Sequence, residues 1–398
     1  MIGSPGLALG LAVLLAQAPA ATKPAPRPGA PPAVKPAATR PAAVPARPFA
    51  EVSAAAAAAR DAGRLDEAIA LYRQGLAIKT DWDEGRWYLG SSLYERERYG
   101  QCRDAFAGLV ARQPAHAGGV GMKGLCEFGL GQHEAALRTL LRARALGIAR
   151  TPEIAHVVAY HAGILLTRFG EFEVGYAVLT ELAGDNVESP KTNEALGLNM
   201  LRMPILPSAL PAAKRPMVQL AGRAAFAMGG RRLADAGRLL DELVAAYPKE
   251  PNVHYARGVL RTTEAPDLAL DDFVAELAVS PRHVPARLQL AFELIKRGEA
   301  AKAKPYAEEA VRLDPQHFAV HLAMGQVWFE TDDLPKAIAA FERGATLAPG
   351  SPQAHFLLAR AYARAGRAAD AERERAAFRK LEQLKAGQPV EQAGSPVP

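Results

Sequence analysis

Two histidines four residues apart, His317 and His321, and two cysteines, Cys102 and Cys126, are the residues whose types and spacing bear most directly on chemistry. Histidines at i and i+4 on one helix face the same way and can share a zinc ion. His321, however, fills a slot that recurs as His254 and His355, each four residues before a small residue. A slot repeated along a chain is a packing slot, so these histidines read as structural and no metal is assigned. His156 and His161 are spaced so that they diverge on a helix. The cysteines leave two outcomes open: a disulfide worth about 3 kcal/mol in an oxidising compartment, or two small core residues. No Gly-x-Ser-x-Gly elbow, phosphate-cradling glycine loop or carboxylate pair stands in a suitable context. Neither a catalytic residue nor a cofactor is assigned, and the chain reads as non-enzymatic.

The elements that carry these residues recur. Ala56, Gly90, Gly124, Gly163, Gly197, Ala224, Gly258, Ala291, Gly325 and Ala359 each centre an apolar, helix-like run, at a spacing close to 34 residues. Self-similarity at such a period means stacked supersecondary units that share a continuous core. The repeats run from 49 to 385 and leave no stretch long enough for a separate catalytic domain.

The clearest unit, 318–351, has Met324, Gly325 and Trp328 in a first helix, then Ala337, Phe341 and Pro349 in a second helix and its end. The second-helix pattern returns as Ala68 and Tyr72, Cys102 and Phe106, Ala136 and Leu140, Ala236 and Leu240, and Ala269 and Phe273. Closing prolines fall in register at Pro114, Pro248, Pro281, Pro315 and Pro349. In this shared register the chain resembles the tetratricopeptide repeat family. The resemblance implies an all-α, right-handed solenoid of antiparallel helix pairs. The physics agrees: two helices approach closely only where side chains are small, and large apolar groups fill in around them. Gly63, Gly131, Gly170, Gly298 and Gly366 sit at the expected turns.

Between Gly197 and Ala224 the gap shrinks to 27 residues and holds Pro204, Pro207, Pro211 and Pro216. Such a segment excludes an ordinary second helix. It reads as a proline-rich crossover, 204–216, between an N-terminal array, 49–203, and a C-terminal array with a capping helix, 217–385. Hinge, plug and decayed repeat all remain open as its role.

The formal charge of +6 is concentrated at the start: residues 1–48 hold Lys23, Arg27, Lys35, Arg40 and Arg47 and no acid. The array itself is nearly neutral, and its arginines alternate with acids, which is the pattern of a solvated helix face rather than a nucleic-acid stripe. Residues 1–21 are uncharged with an apolar core at 7–15 and small residues at 18–20, which reads as a signal peptide too short to span a bilayer. The expected location is periplasmic or secreted, with an N-terminal membrane anchor as the alternative. Residues 22–48 form a Pro/Ala-rich disordered linker and 386–398 a disordered tail on this reading.

The family resemblance also places a binding wall on the concave face made by successive first helices. Its slots hold Trp87, Tyr94, Leu125, Phe128, Tyr160 and Ile164, with Tyr88 and His161 at the edge, then Tyr255, Leu288, Phe292, Phe329 and Phe356. Aromatic anchors in a groove suit a protein or peptide partner. The Lys and Asn slots with which some members grip an acidic tail hold Trp87, Ser91, Gly121, Leu125, Tyr160 and Ile164 instead, so that clamp is absent. The expected function is a non-enzymatic scaffold that binds a protein partner, by resemblance to envelope-assembly members of the superfamily. The alternatives are a structural accessory subunit of an envelope enzyme complex and a hydrolase or transferase with a site in the groove. The oligomeric state is not legible.

Overall fold

The computed structural model describes residues 47–148 and 152–387, and every long element among them is an α-helix. The expectations for the signal peptide, for the linker up to residue 46 and for the tail beyond 387 fall outside the described residues. Four helix pairs come first: α1 (Phe49–Asp61) with α2 (Leu65–Ile78), α3 (Asp83–Glu95) with α4 (Tyr99–Arg112), α5 (Ala117–Gly129) with α6 (His133–Ala145), and α7 (Pro152–Arg168) with α8 (Phe172–Gly184). A single helix, α9 (Pro190–Met200), precedes the crossover. Five more pairs follow: α10 (Arg215–Gly229) with α11 (Leu233–Ala246), α12 (Val253–Glu264) with α13 (Pro266–Val279), α14 (Val284–Lys296) with α15 (Ala300–Leu313), α16 (Phe318–Glu330) with α17 (Leu334–Leu347), and α18 (Pro352–Arg364) with α19 (Ala368–Gly387).

All ten periodic small residues lie on the first helix of a pair or on α9, and all are buried. Where a glycine stands in the first helix of a pair, the reason is contact with the second helix. A Cβ on Gly90 would come within 2.5 Å of the Phe106 ring, and one on Gly258 or Gly325 within 2.6 Å of Phe273 or Phe341. Gly124 and Gly163 meet Leu140 and Leu179 in the same way. Glycine inside a helix costs about 1 kcal/mol against alanine. Full burial of one phenylalanine returns about 1.5–3 kcal/mol, so the exchange favours the fold.

Eight of the nine described turns within a pair close by one pattern, in which the residue after the left-handed position donates its N–H five residues back; the turn from α12 to α13, through Ala265 alone, has no left-handed residue. Examples are Arg64 to Ala59, Gln132 to Glu127, Glu299 to Leu294 and Arg367 to Tyr362. The left-handed position is glycine at 63, 131, 170, 298 and 366, but Glu97, Arg231 and Asp332 at three other turns. The joint between pairs has its own latch. His254, His321 and His355 each direct Nε2 to the carbonyl of the closing proline six residues back, at 2.9, 2.9 and 3.1 Å. Arg86 and Arg287 hold the Thr80 and Pro281 carbonyls from the same slot. The recurring histidine is therefore a hydrogen-bonding strut.

In the crossover, two 3₁₀ turns, Pro207–Ala209 and Ala212–Lys214, lead from α9 to α10. Leu210 is buried there with Leu198, Leu201 and Met217, and Met203 and Ile205 pack against them. The apolar character of this loop is thus used in the core between α9, α10 and α11.

Candidate protein-binding wall

Trp87 and Tyr88 are neighbours on α3, yet the helix turns them toward different contacts. Trp87 lies edge-on to Phe106 of α4 at 5.5 Å and beside His116, at 5.6 Å, and its ring tip covers Gly118 at the start of α5. Tyr88 stacks on Tyr72 of α2 at 5.9 Å under the Arg60 guanidinium, 3.8 Å from its ring centre. Tyr94 contacts Tyr99 across its own turn, and burial raises its pKa. All three are half-buried. Each also completes helix packing, so the wall here is built from residues with a structural duty.

Phe128, Tyr160 and His161 are brought together. The Phe128 ring of α5 meets the His161 ring of α7 edge-on at 4.7 Å, and His161 meets Tyr160 at 5.2 Å. His133 flanks Phe128 from the other side at 5.6 Å. All four remain half-buried. His161 Nδ1 stands 2.7 Å from the Val157 carbonyl, so this nitrogen carries the proton and Nε2 is left as an acceptor. Burial, helped by the Lys191 charge, lowers the His161 pKa and keeps the ring neutral at pH 7. Burial, then the Glu194 carboxylate, raises that of Tyr160. The result is an aromatic ledge with one neutral acceptor. Leu125, by contrast, is 3% exposed and Ile164 4%, so both are sealed in the core and offer packing rather than contact surface.

In the second half Tyr255 is half-buried on α12, 4.8 Å from the His283 ring and 5.9 Å from Phe273. Its backbone N–H and that of Asn252 donate to the fully buried Glu276 carboxylate, which caps α12 where the helix dipole favours an anion. His283 caps α14 by accepting from the Ala286 N–H through Nδ1, and its Nε2–H donates to Asn252 Oδ1 at 2.8 Å. Burial, then the Arg202 charge, pushes the His283 pKa down to about 4. Arg202, just past α9, pairs with Glu173 at 2.7 Å and lies over the Phe172 ring. Phe292 and Leu288 are buried.

Phe329 of α16 is half-buried and Phe356 of α18 is 45% exposed. The Arg360 guanidinium lies 5.1 Å from the first ring and 5.8 Å from the second. Arg364, Arg367, Arg373, Arg375 and Arg379 all have carboxylate partners. Arg360 has none among the described residues. Sequence reasoning did not select His133, Arg202, His283 or Arg360. For the helix-capping histidines a signal exists: Pro114, Pro281 and Pro315 are each followed two residues on by a histidine, and His116, His283 and His317 all cap the next helix through Nδ1.

Cys102 of α4 and Cys126 of α5 are joined in a disulfide with their Cα atoms 6.0 Å apart, inside the range a bridge requires. The bond ties one repeat to the next beside the wall. Among the described residues no group of three or more His, Cys, Asp or Glu side chains converges as a metal site, and no helix is long and apolar enough to cross a membrane.

A stack of helix pairs with small residues at each crossing and an open aromatic ledge on the first helices defines a repeat scaffold of the protein-interaction class. The tetratricopeptide repeat family matches residues 89–150 and 288–352, and a second tetratricopeptide repeat family matches 329–377. The chain carries tetratricopeptide repeats over those residues. No curated protein matches it. Solved structures similar to it include a MamA RS-1 double mutant, at 19% identity over 43% of this chain and 97% of that one, with a TM-score of 0.39. MamA from residue 41 to its end, from Desulfovibrio magneticus RS-1, has 20% identity, 43% and 96% coverage and a TM-score of 0.37. A further MamA crystal structure has 17% identity, 46% and 98% coverage and a TM-score of 0.38.

Proposed function

We propose that this array is a non-enzymatic scaffold that docks an apolar, aromatic-anchored segment of a protein partner on the wall of its first helices, after export from the cytoplasm, in the assembly of the cell envelope. The observation that supports the reading most is the ledge of Phe128, Tyr160 and His161. Its rings touch one another across two repeats and yet stay half open, as anchors must if a partner is to bury them further. Phe329, Phe356 and Arg360, which has no carboxylate partner among the described residues, give a second open patch of the aromatic and arginine residues enriched at protein interfaces.

Crosslinking in the native envelope from a photoreactive group at Phe128, followed by mass spectrometry, tests the reading. Capture of one partner that survives high salt is the expected result, since apolar burial is insensitive to screening. Capture only at low salt, or only from a group placed on a second helix such as α6, would reject the wall.

A further inference from the structure

Both cysteines have 0% exposure, and both belong to the core cluster that contains Leu93, Phe106, Leu125 and Leu140. A thiol–disulfide exchange needs a third sulfur to approach one of the pair, and no such path exists at a sulfur closed on every side. Exchange on the folded array is therefore confined to openings that separate α4 from α5. Those helices lie inside a continuous stack, where opening costs far more than at a frayed end.

We propose that Cys102 and Cys126 are joined before α4 and α5 pack, by exchange with an external disulfide, and that packing then seals the bond. The first thiolate attacks the incoming disulfide and the second displaces the mixed intermediate. The two cysteines lose two protons and two electrons, and the oxidant leaves as two thiols. The bond is a staple set during folding and not a switch. Its presence records that the chain met an oxidising compartment while still open. A chain folded among reducing thiols keeps two inert core cysteines in the same place.

The test uses the full chain, reduced and folded without oxygen, then given oxidised glutathione, with free thiols counted by alkylation and mass spectrometry and the fold followed by circular dichroism. A parallel sample is oxidised in concentrated urea and refolded. The folded sample is expected to lose thiols at least about 100-fold more slowly than the unfolded one. A reduced chain that becomes helical only once oxidant is added would equally place oxidation before packing. Oxidation of the folded chain within a few-fold of the unfolded rate would overturn the proposal, as would refolding in oxidised glutathione without formation of the bond. The single variant Cys102→Ser adds a direct measure of access, because Cys126 in the folded variant should resist iodoacetamide and react in urea.

Discussion

Gly197 of α9 and Gly222 of α10 meet backbone to backbone. A Cβ on Gly197 would stand 1.9 Å from the Val218 carbonyl oxygen, and one on Gly222 would stand 1.7 Å from that of Asn193. Neither obstacle is a side chain that can turn away. Gly197→Ala or Gly222→Ala is expected to force the helices apart and cost about 3 kcal/mol or more, read as a lower urea midpoint. A loss under about 1 kcal/mol would mean that the two halves are not locked at this crossing.

The left-handed turn positions should respond in opposite senses. Gly131 has open space around its missing Cβ and a φ of +71°, so Gly131→Ala loses about 1 kcal/mol for conformation alone. Glu97 and Arg231 sit at equivalent positions with φ of 54° and 57°. Glu97→Gly and Arg231→Gly should gain about 0.5–1 kcal/mol, since relief of the left-handed strain exceeds the extra entropy of glycine. Thermal melts of the three variants check the signs.

Asp272 is 2% exposed on α13 and accepts from both Arg257 and Arg261 of α12, which also hold Asp241 of α11. Removing the buried partner leaves two cations in a partly desolvated place. Asp272→Ala should cost about 3 kcal/mol, whereas Asp241→Ala, on the exposed side, should cost under about 1 kcal/mol. Equal losses in urea denaturation would contradict this ranking.

His283 makes stability fall in mild acid. Its folded pKa of about 4 lies below the unfolded value, so the unfolded chain takes up a proton that the native state resists. The stabilisation is complete above about pH 6.5 and is lost as pH falls from there toward 4, by up to about 3 kcal/mol. Protonated Nδ1 can no longer accept from Ala286. Ser351 fills the same capping slot in a later repeat without a titrating group. The variant His283→Ser should flatten the change in melting temperature between pH 7 and pH 5, and an unchanged slope would clear His283 of the effect.

Substitutions on the wall should separate binding from packing. Phe128→Ala is expected to weaken partner capture by about 2 kcal/mol with a small change in melting temperature. Trp87→Ala removes contacts with Phe106, His116 and Gly118 and should destabilise by about 3 kcal/mol. Normal capture by the Phe128 variant would assign that ring to packing as well.

The positions of the helix pairs are written locally. A small residue in every first helix, an alanine four residues before an aromatic or leucine in the second, and a glycine at the turn act within one repeat, and the periodic set from Ala56 to Ala359 is buried throughout. The capping histidines were equally local, as Pro-x-His, though their meaning becomes plain only beside the helix ends. Tertiary structure alone decided the rest. Gly222 lies outside the period, and only the crossing of α9 over α10 explains it. Leu125 and Phe128 share a helix and an apolar character, yet one is sealed and the other half open, because exposure depends on how closely the next pair packs. The spacing of Cys102 and Cys126 did not decide between a bond and two thiols, and the 6.0 Å between their Cα atoms comes from the packing of neighbouring repeats. A sequence period fixes which face of a helix turns inward; the depth of burial, and which distant groups meet there, belong to the stack as a whole.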